Sequence, residues 1–159
     1  MKKKKDEKQP SITETKRVVF RLLKYRPRSE NEIATKLRDK NFSPVLIRQT
    51  IEYFQKIGVI NDQQFALGWI RSRLNKPFGI YRIRQELKHK GIDEDIIAEA
   101  MRLAEQDYDE YEAIIGLAQK RLRKYAALDR TKARRRLYEY LARRGFHSGT
   151  IIKALNKNF

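Results

Sequence analysis

The sequence predicts an all-α protein made of three tandem three-helix repeats. Apolar residues recur at helical spacing along most of the 159 residues, and no stretch alternates in the manner of a β-strand. Helix start and stop signals punctuate the chain at regular distances. A set of six positions occurs three times with constant internal spacing. Ile33, Ile83 and Leu137 correspond, then Leu37, Leu87 and Leu141, then Asn41, Gly91 and Gly145. Phe42, Ile92 and Phe146 follow, then Ile47, Ile97 and Ile151, and finally Ile51, Met101 and Leu155. The copies are offset by 50 and 54 residues. Two aliphatic residues four apart share a helix face. Four residues on comes a residue that tolerates positive φ, and the apolar residue after it packs back on the helix end.

Taken in order, residues 1–13 are polar and Lys-rich without periodicity, and read as a disordered basic tail. Repeat 1 occupies 14–60. It opens with the amphipathic segment Val18–Tyr25, and Ser29 with Glu32 forms a capping-box start. Ser43-Pro44 places a cap before a proline at the first helical position, and Gly58 is a left-handed stop. Repeat 2 occupies 61–106, with caps expected at Asp62 and Asp93, a first helix over Phe65–Leu74, and a stop at Gly91. Repeat 3 occupies 107–159, with a first helix over Ile114–Tyr125, a cap at Asp129 and a stop at Gly145. Lys40, Lys90 and Arg144 match across the copies, each near a helix C-terminus where a cation offsets the macrodipole. A unit of about fifty residues is insecure alone and gains from stacking on its neighbours.

Composition narrows the function. Lys and Arg outnumber Asp and Glu by 37 to 20, a formal charge of +17, which points to polyanionic partners, nucleic acid first. The charge is uneven: residues 117–159 hold 13 basic and 2 acidic groups, whereas 102–116 hold 1 and 5. The absence of cysteine excludes disulfides, Cys-ligated zinc and thiol nucleophiles, and two histidines are too few for a His-dominated metal site. No apolar stretch follows the N-terminal lysines and no segment is long enough to span a bilayer, so a cytoplasmic protein is expected.

The central copy resembles the RecX family, regulators of the RecA recombinase. The matching residues are Asp62, Phe65-Ala66, Ile70, Arg73, Gly79, Ile83, Arg84, Glu86-Leu87, Lys90-Gly91-Ile92 and Ile97. The most specific run is Arg82–Ile92, and the likeness extends from Lys16 to the C-terminus. Asn41 stands where the first copy would carry glycine, a mild departure because Asn also enters the left-handed region. The resemblance implies an elongated, curved array of the repeats that has no enzymatic activity. Such a protein would bind RecA filaments on single-stranded DNA, and regulate DNA repair and the SOS response by inhibiting ATP hydrolysis, strand exchange and filament growth. A monomer without cofactor or membrane is expected, and the charge of +11 on residues 117–159 predicts weak, salt-sensitive binding of single strands.

Two arcs are candidates for contact with filament or DNA. Opposite Ile83 and Leu87 lie Tyr81, Arg82, Gln85, Glu86, Lys88 and His89. Opposite Leu137 and Leu141 lie Lys132, Arg135, Arg136, Glu139 and Arg143, and Lys120, Arg121, Arg123 and Lys124 precede them. The bland alternative is an ordinary solvated face; the 13-to-2 imbalance argues against it for the third copy. Asp107, Asp109, Glu110 and Glu112 would suit a metal-dependent nuclease, yet they sit where helix starts favour acids. Tyr81, Tyr108, Tyr138 and Tyr140 are candidates for base stacking, although Tyr140 falls beside Leu137 and Leu141. The remaining rival is a transcription regulator reading duplex DNA with one helix-turn-helix.

Overall fold

A computed structural model of the chain describes residues 11–76, 78–104, 106 and 108–159. Among these residues there is no strand, and two compact units form, the first ending at Phe65 and the second running from Ala66 to Phe159. The second and third copies of the sequence pattern therefore share one unit.

In the first unit, α1 (Ile12–Tyr25), α2 (Glu30–Arg38) and α3 (Pro44–Lys56) pack against one another. Ser11 caps α1 by accepting from the Glu14 N–H at 3.3 Å. The helix thus begins inside the stretch expected to be tail, while residues 1–10 lie outside the described ones. The capping box at Ser29 and Glu32 forms in both directions, and Ser43 caps α3 ahead of Pro44. Val19, Ile33, Leu37, Ile47, Ile51, Phe54 and Ile60 make the core. The Thr50 hydroxyl is buried, and among the described residues it has no hydrogen-bond partner. Thr50→Val removes this uncompensated group, and should stabilise the unit by about 1 kcal/mol, read as a higher urea midpoint at unchanged m-value.

α4 (Asp62–Leu74) corrects one expectation: its cap is Asn61, whose side chain accepts from the Gln64 N–H at 3.0 Å. Asp62 is the first helical residue and accepts instead from the Glu30 N–H at 2.9 Å, tying the start of α4 to the start of α2. Burial pushes the Asp62 carboxyl above its ordinary 3.8, against the hydrogen bond from Glu30 and with the charge of Glu32. Burial also raises Glu30, with the charge of Asp62 adding to it. A carboxyl raised on folding binds its proton more tightly in the folded state, so its contribution to stability declines as pH climbs through the folded value. Asp62→Asn keeps the acceptor and removes the charge. Its stability relative to the parent should improve as pH rises above about 4, checked by urea unfolding at a series of increasing pH values.

In the second unit, α5 (Ile80–His89) packs on α6 (Glu94–Ala104). α7 (Glu110–Leu122), which continues into a short 3-10 turn at Arg123–Tyr125, packs on α8 (Arg130–Arg143) and α9 (Ser148–Asn158). Asp109 and Asp129 cap α7 and α8 through their side chains, and Asp93 accepts from the Asp95 N–H at the start of α6.

The repeat is visible in the backbone. Asn41, Gly91 and Gly145 take φ of 61°, 73° and 83°. In each copy the next residue donates to the carbonyl five back: Phe42 to Leu37, Ile92 to Leu87, Phe146 to Leu141. This is the bonding of a left-handed helix stop, made three times by equivalent residues. All the matched apolar positions are buried except Phe42, which is half-buried.

Candidate functional site

The second and third copies meet at an interlock of helix ends. The N-terminal N–H groups of α5 and the C-terminal carbonyls of α8 both lack partners within their own helices. The Gly79 N–H donates to the Arg144 carbonyl at 2.8 Å, and the Tyr81 N–H donates to the Gly145 carbonyl at 3.1 Å. The positive end of one helix dipole thus abuts the negative end of the other. Only glycine permits the approach: a Cβ on Gly79 would lie 2.2 Å from the Gly145 carbonyl, and one on Gly145 would lie 2.4 Å from Arg82 Cβ.

Around this joint, cations and rings alternate. Lys90 and Arg73 flank the Trp69 ring at 4.1 and 4.4 Å, and Arg82 and Arg144 lie over Phe78 at 4.2 and 5.6 Å. Arg144 also lies over Tyr140 at 4.8 Å, whose other neighbour, Arg121 at 4.6 Å, donates to the Tyr125 hydroxyl at 3.2 Å. Glu86 is a hub, accepting from Trp69 Nε1 at 3.0 Å, Arg73 Nε at 2.6 Å and Arg82 Nε at 3.2 Å. The helical spacing of α5 puts Glu86 on the outward arc; its partners on α4 make it instead a brace between α4 and α5. Lys88 and Arg84 share Glu94, and their hydrogen bonds hold that carboxyl below its ordinary range. Of the predicted central residues, Arg82 and Lys88 are exposed but engaged within the protein.

The third copy is different. Lys132 pairs with Asp129 and Arg135 with Glu139, at 3.4 and 3.0 Å. Arg121 is half-buried between its two tyrosines. Lys120, Arg123, Lys124, Arg136 and Arg143 are exposed, and among the described residues no carboxylate lies within ion-pair distance of them. Sequence reasoning passes over Arg130 and Arg134. With Leu122, Arg123, Tyr125 and Phe159 they line a groove of about 610 Å³ beside α7 and α8. Arg130 donates there to the Phe159 carbonyl at 3.0 Å. In a helix so rich in arginine, no sequence signal separates these two from the arc.

The acidic candidates serve structure. Asp109 caps α7, and Glu110 accepts from the His147 N–H at 3.2 Å, joining α7 to the start of α9. Glu112 sits in the first turn of α7, and Asp107 lies outside the described residues. Among the described residues no three His, Cys, Asp or Glu side chains converge as metal ligands, and no helix is long and apolar enough to cross a membrane. Tyr108 is half-buried, and burial aided by Glu110 and Asp109 pushes its hydroxyl up to about 12. Tyr138 and Tyr140 pack against the buried cluster of the third copy, which includes Ile114, Leu137, Leu141 and Ile151, leaving Tyr81 the exposed one of the four tyrosine candidates.

Comparison with known proteins agrees with this architecture. Family models described as the first, second and third three-helix domains of RecX match residues 16–54, 61–101 and 107–155. The regulatory protein RecX of Chlorobium phaeobacteroides is 38% identical over 143 residues, covering 89% of this chain and 91% of that protein. Its counterpart in Prosthecochloris aestuarii is 33% identical over 151 residues, 92% of this chain and 97% of the relative. The crystal structure of RecX from Lactobacillus salivarius superposes with a TM-score of 0.81 at 24% identity, covering 92% of this chain and 95% of that one.

Proposed function

This chain belongs to the RecX family of regulatory proteins, and from that premise we propose that it binds RecA filaments on single-stranded DNA and inhibits their ATP hydrolysis and growth. It does so by occupancy, without catalysis. One observation carries the reading: exposed cations of the third copy, among them Lys120, Arg123, Lys124, Arg136 and Arg143, have no carboxylate partner among the described residues. A nucleoprotein filament offers phosphates to such a face, and neutralising them releases counterions. Arg82 and Lys88 contribute less, being engaged with Glu86 and Glu94, and Arg121, Lys132 and Arg135 act from the margin of the surface. Binding across neighbouring subunits would restrict the movements that turnover requires.

The duplex-reading alternative fares worse on charge in the central copy. In a helix-turn-helix the second helix enters the major groove. In the central copy that helix is α6, whose first turn is Glu94-Asp95 and whose exposed side also carries Glu99. Glu94 is paired with Arg84 and Lys88, and Glu99 with Arg102, so among the described residues Asp95 is the acid of this face left to oppose phosphates. In the third copy the corresponding helix, α9, carries exposed Lys153 and Lys157 and no acid. The decisive measurement is RecA ATPase on single-stranded DNA with increasing amounts of the full chain. The rate should fall and filaments should shorten. Unchanged turnover and filament length at saturating protein would overturn the proposal.

A further inference from the structure

The first unit carries an aromatic surface that the filament reading leaves unused. On α1, successive residues turn by about 100°, so Lys16, Phe20, Lys24, Arg17 and Arg21 fall within about 140° of one another. The buried Val19 and Thr15 lie on the other side. Phe20 is the one apolar residue in that arc, and it is 54% exposed. Across from it on α3, Tyr53 is 39% exposed, with Lys16 Nζ 3.2 Å from its ring centre. Both rings rest edge-on against Phe54, at 4.9 and 5.3 Å, and Phe54 is fully buried in the core. The two exposed rings are therefore held by the core of the unit. Among the described residues, no carboxylate is in ion-pair range of Lys16, Arg17, Arg21 or Lys24. Glu14 lies at the edge of the arc, and Glu52 is next to Tyr53 on α3.

We propose that Phe20 and Tyr53 form a base-stacking platform for single-stranded nucleic acid, with Lys16, Arg17, Arg21 and Lys24 holding the backbone. Cations i and i+4 on a helix stand about 6 Å apart along its axis. Rings between them take bases by their faces, without sequence preference. Arg17 and Arg21 are one such pair, with Phe20 between them in sequence. Arg17, Arg21 and Lys24, with no carboxylate in range among the described residues, and Lys16, held over the Tyr53 ring, select a polyanion. The exposed Phe20 and part-exposed Tyr53 favour one with unstacked bases over an acidic peptide.

The platform does not depend on the filament reading, since it needs DNA alone. The test compares binding of full-length protein to oligothymidylate and to an abasic strand of equal length at fixed salt. The parent should prefer the base-bearing strand by about tenfold, the worth of one stacked base. Phe20→Leu keeps an apolar contact on Phe54 but loses the ring face. It should cut that preference to about twofold while the dependence on salt stays as in the parent. Arg17→Glu with Arg21→Glu should do the reverse, flattening the salt dependence and leaving the preference. Circular dichroism and the thermal midpoint establish that each variant is folded. Equal affinity of the parent for both strands overturns the platform, as does an undiminished preference in folded Phe20→Leu. Displacement of the strand by an acidic peptide, without any preference for bases, would reassign the surface to protein docking. All arms omit the recombinase, so they stand or fall independently of filament inhibition.

Discussion

Gly79→Ala should destabilise the second unit by about 3 kcal/mol, although it adds a single methyl group. The added Cβ would fall 2.2 Å from the carbonyl carbon and oxygen of Gly145, backbone atoms that have no rotamer by which to retreat. Overpacking of this kind costs roughly 1–3 kcal/mol, and separating the ends of α5 and α8 also forfeits two hydrogen bonds worth about 1 kcal/mol each. Gly68→Ala is the matched control. Gly68 lies within α4 with nothing within 4 Å of the place a methyl group would take, so alanine there should stabilise by about 1 kcal/mol through helix propensity. Urea unfolding of the two variants should move in opposite directions. If Gly79→Ala leaves the unfolding midpoint unchanged, the interlock is not a structural tie. The same contact governs how the copies are dissected. Truncation after Met101 removes Arg144 and Gly145 and strips α5 of its partners, so loss of activity in such a fragment would not isolate the role of charge.

Charge reversal at Arg136 and Arg143 should weaken single-strand binding and RecA inhibition far more than reversal at Arg82 and Lys88. The first pair is exposed, with no carboxylate in range among the described residues, whereas the second pair is already held by Glu86 and Glu94. If Arg136 and Arg143 each neutralise one phosphate, their loss should reduce the slope of log affinity against log salt by about 1.4, from about 0.7 per contact. Arg135 and Lys132 should show smaller effects because Glu139 and Asp129 share their charge. The variants are compared at matched helicity. Equal slopes in the parent and the Arg136, Arg143 double variant would mean that these arginines are only solvated.

Much of this fold is legible in the sequence, and the reason is local. Left-handed stops at Asn41, Gly91 and Gly145, the Ser29–Glu32 box and the Ser43-Pro44 start depend on residues within a turn of each other. The error at Asp62 shows where locality ends. Asn61 and Asp62 are adjacent and both chemically suited to capping, and the choice is made by Glu30, thirty-two residues away, whose N–H engages Asp62. The helical wheel of α5 turns Glu86 outward because it takes no account of Trp69 and Arg73 on α4. The joint is less legible still. Gly79 stands out by its family match and Gly145 as a helix stop, but nothing in the intervening sequence couples them until the fold brings them together. The third-copy cations are found by imbalance alone, which detects an excess of charge but not which members are already spent on Asp129, Glu139 or a tyrosine.

Trp69 is the single tryptophan of the chain, and its indole is bonded to Glu86 and bracketed by Arg73 and Lys90. Its emission is therefore an optical signal confined to the meeting of α4 and α5, whereas circular dichroism sums over all the helices. Should the two compact units melt separately, the two signals would trace different curves, since coincident transitions are the mark of a single cooperative step. The protein carries its own label for one half of itself.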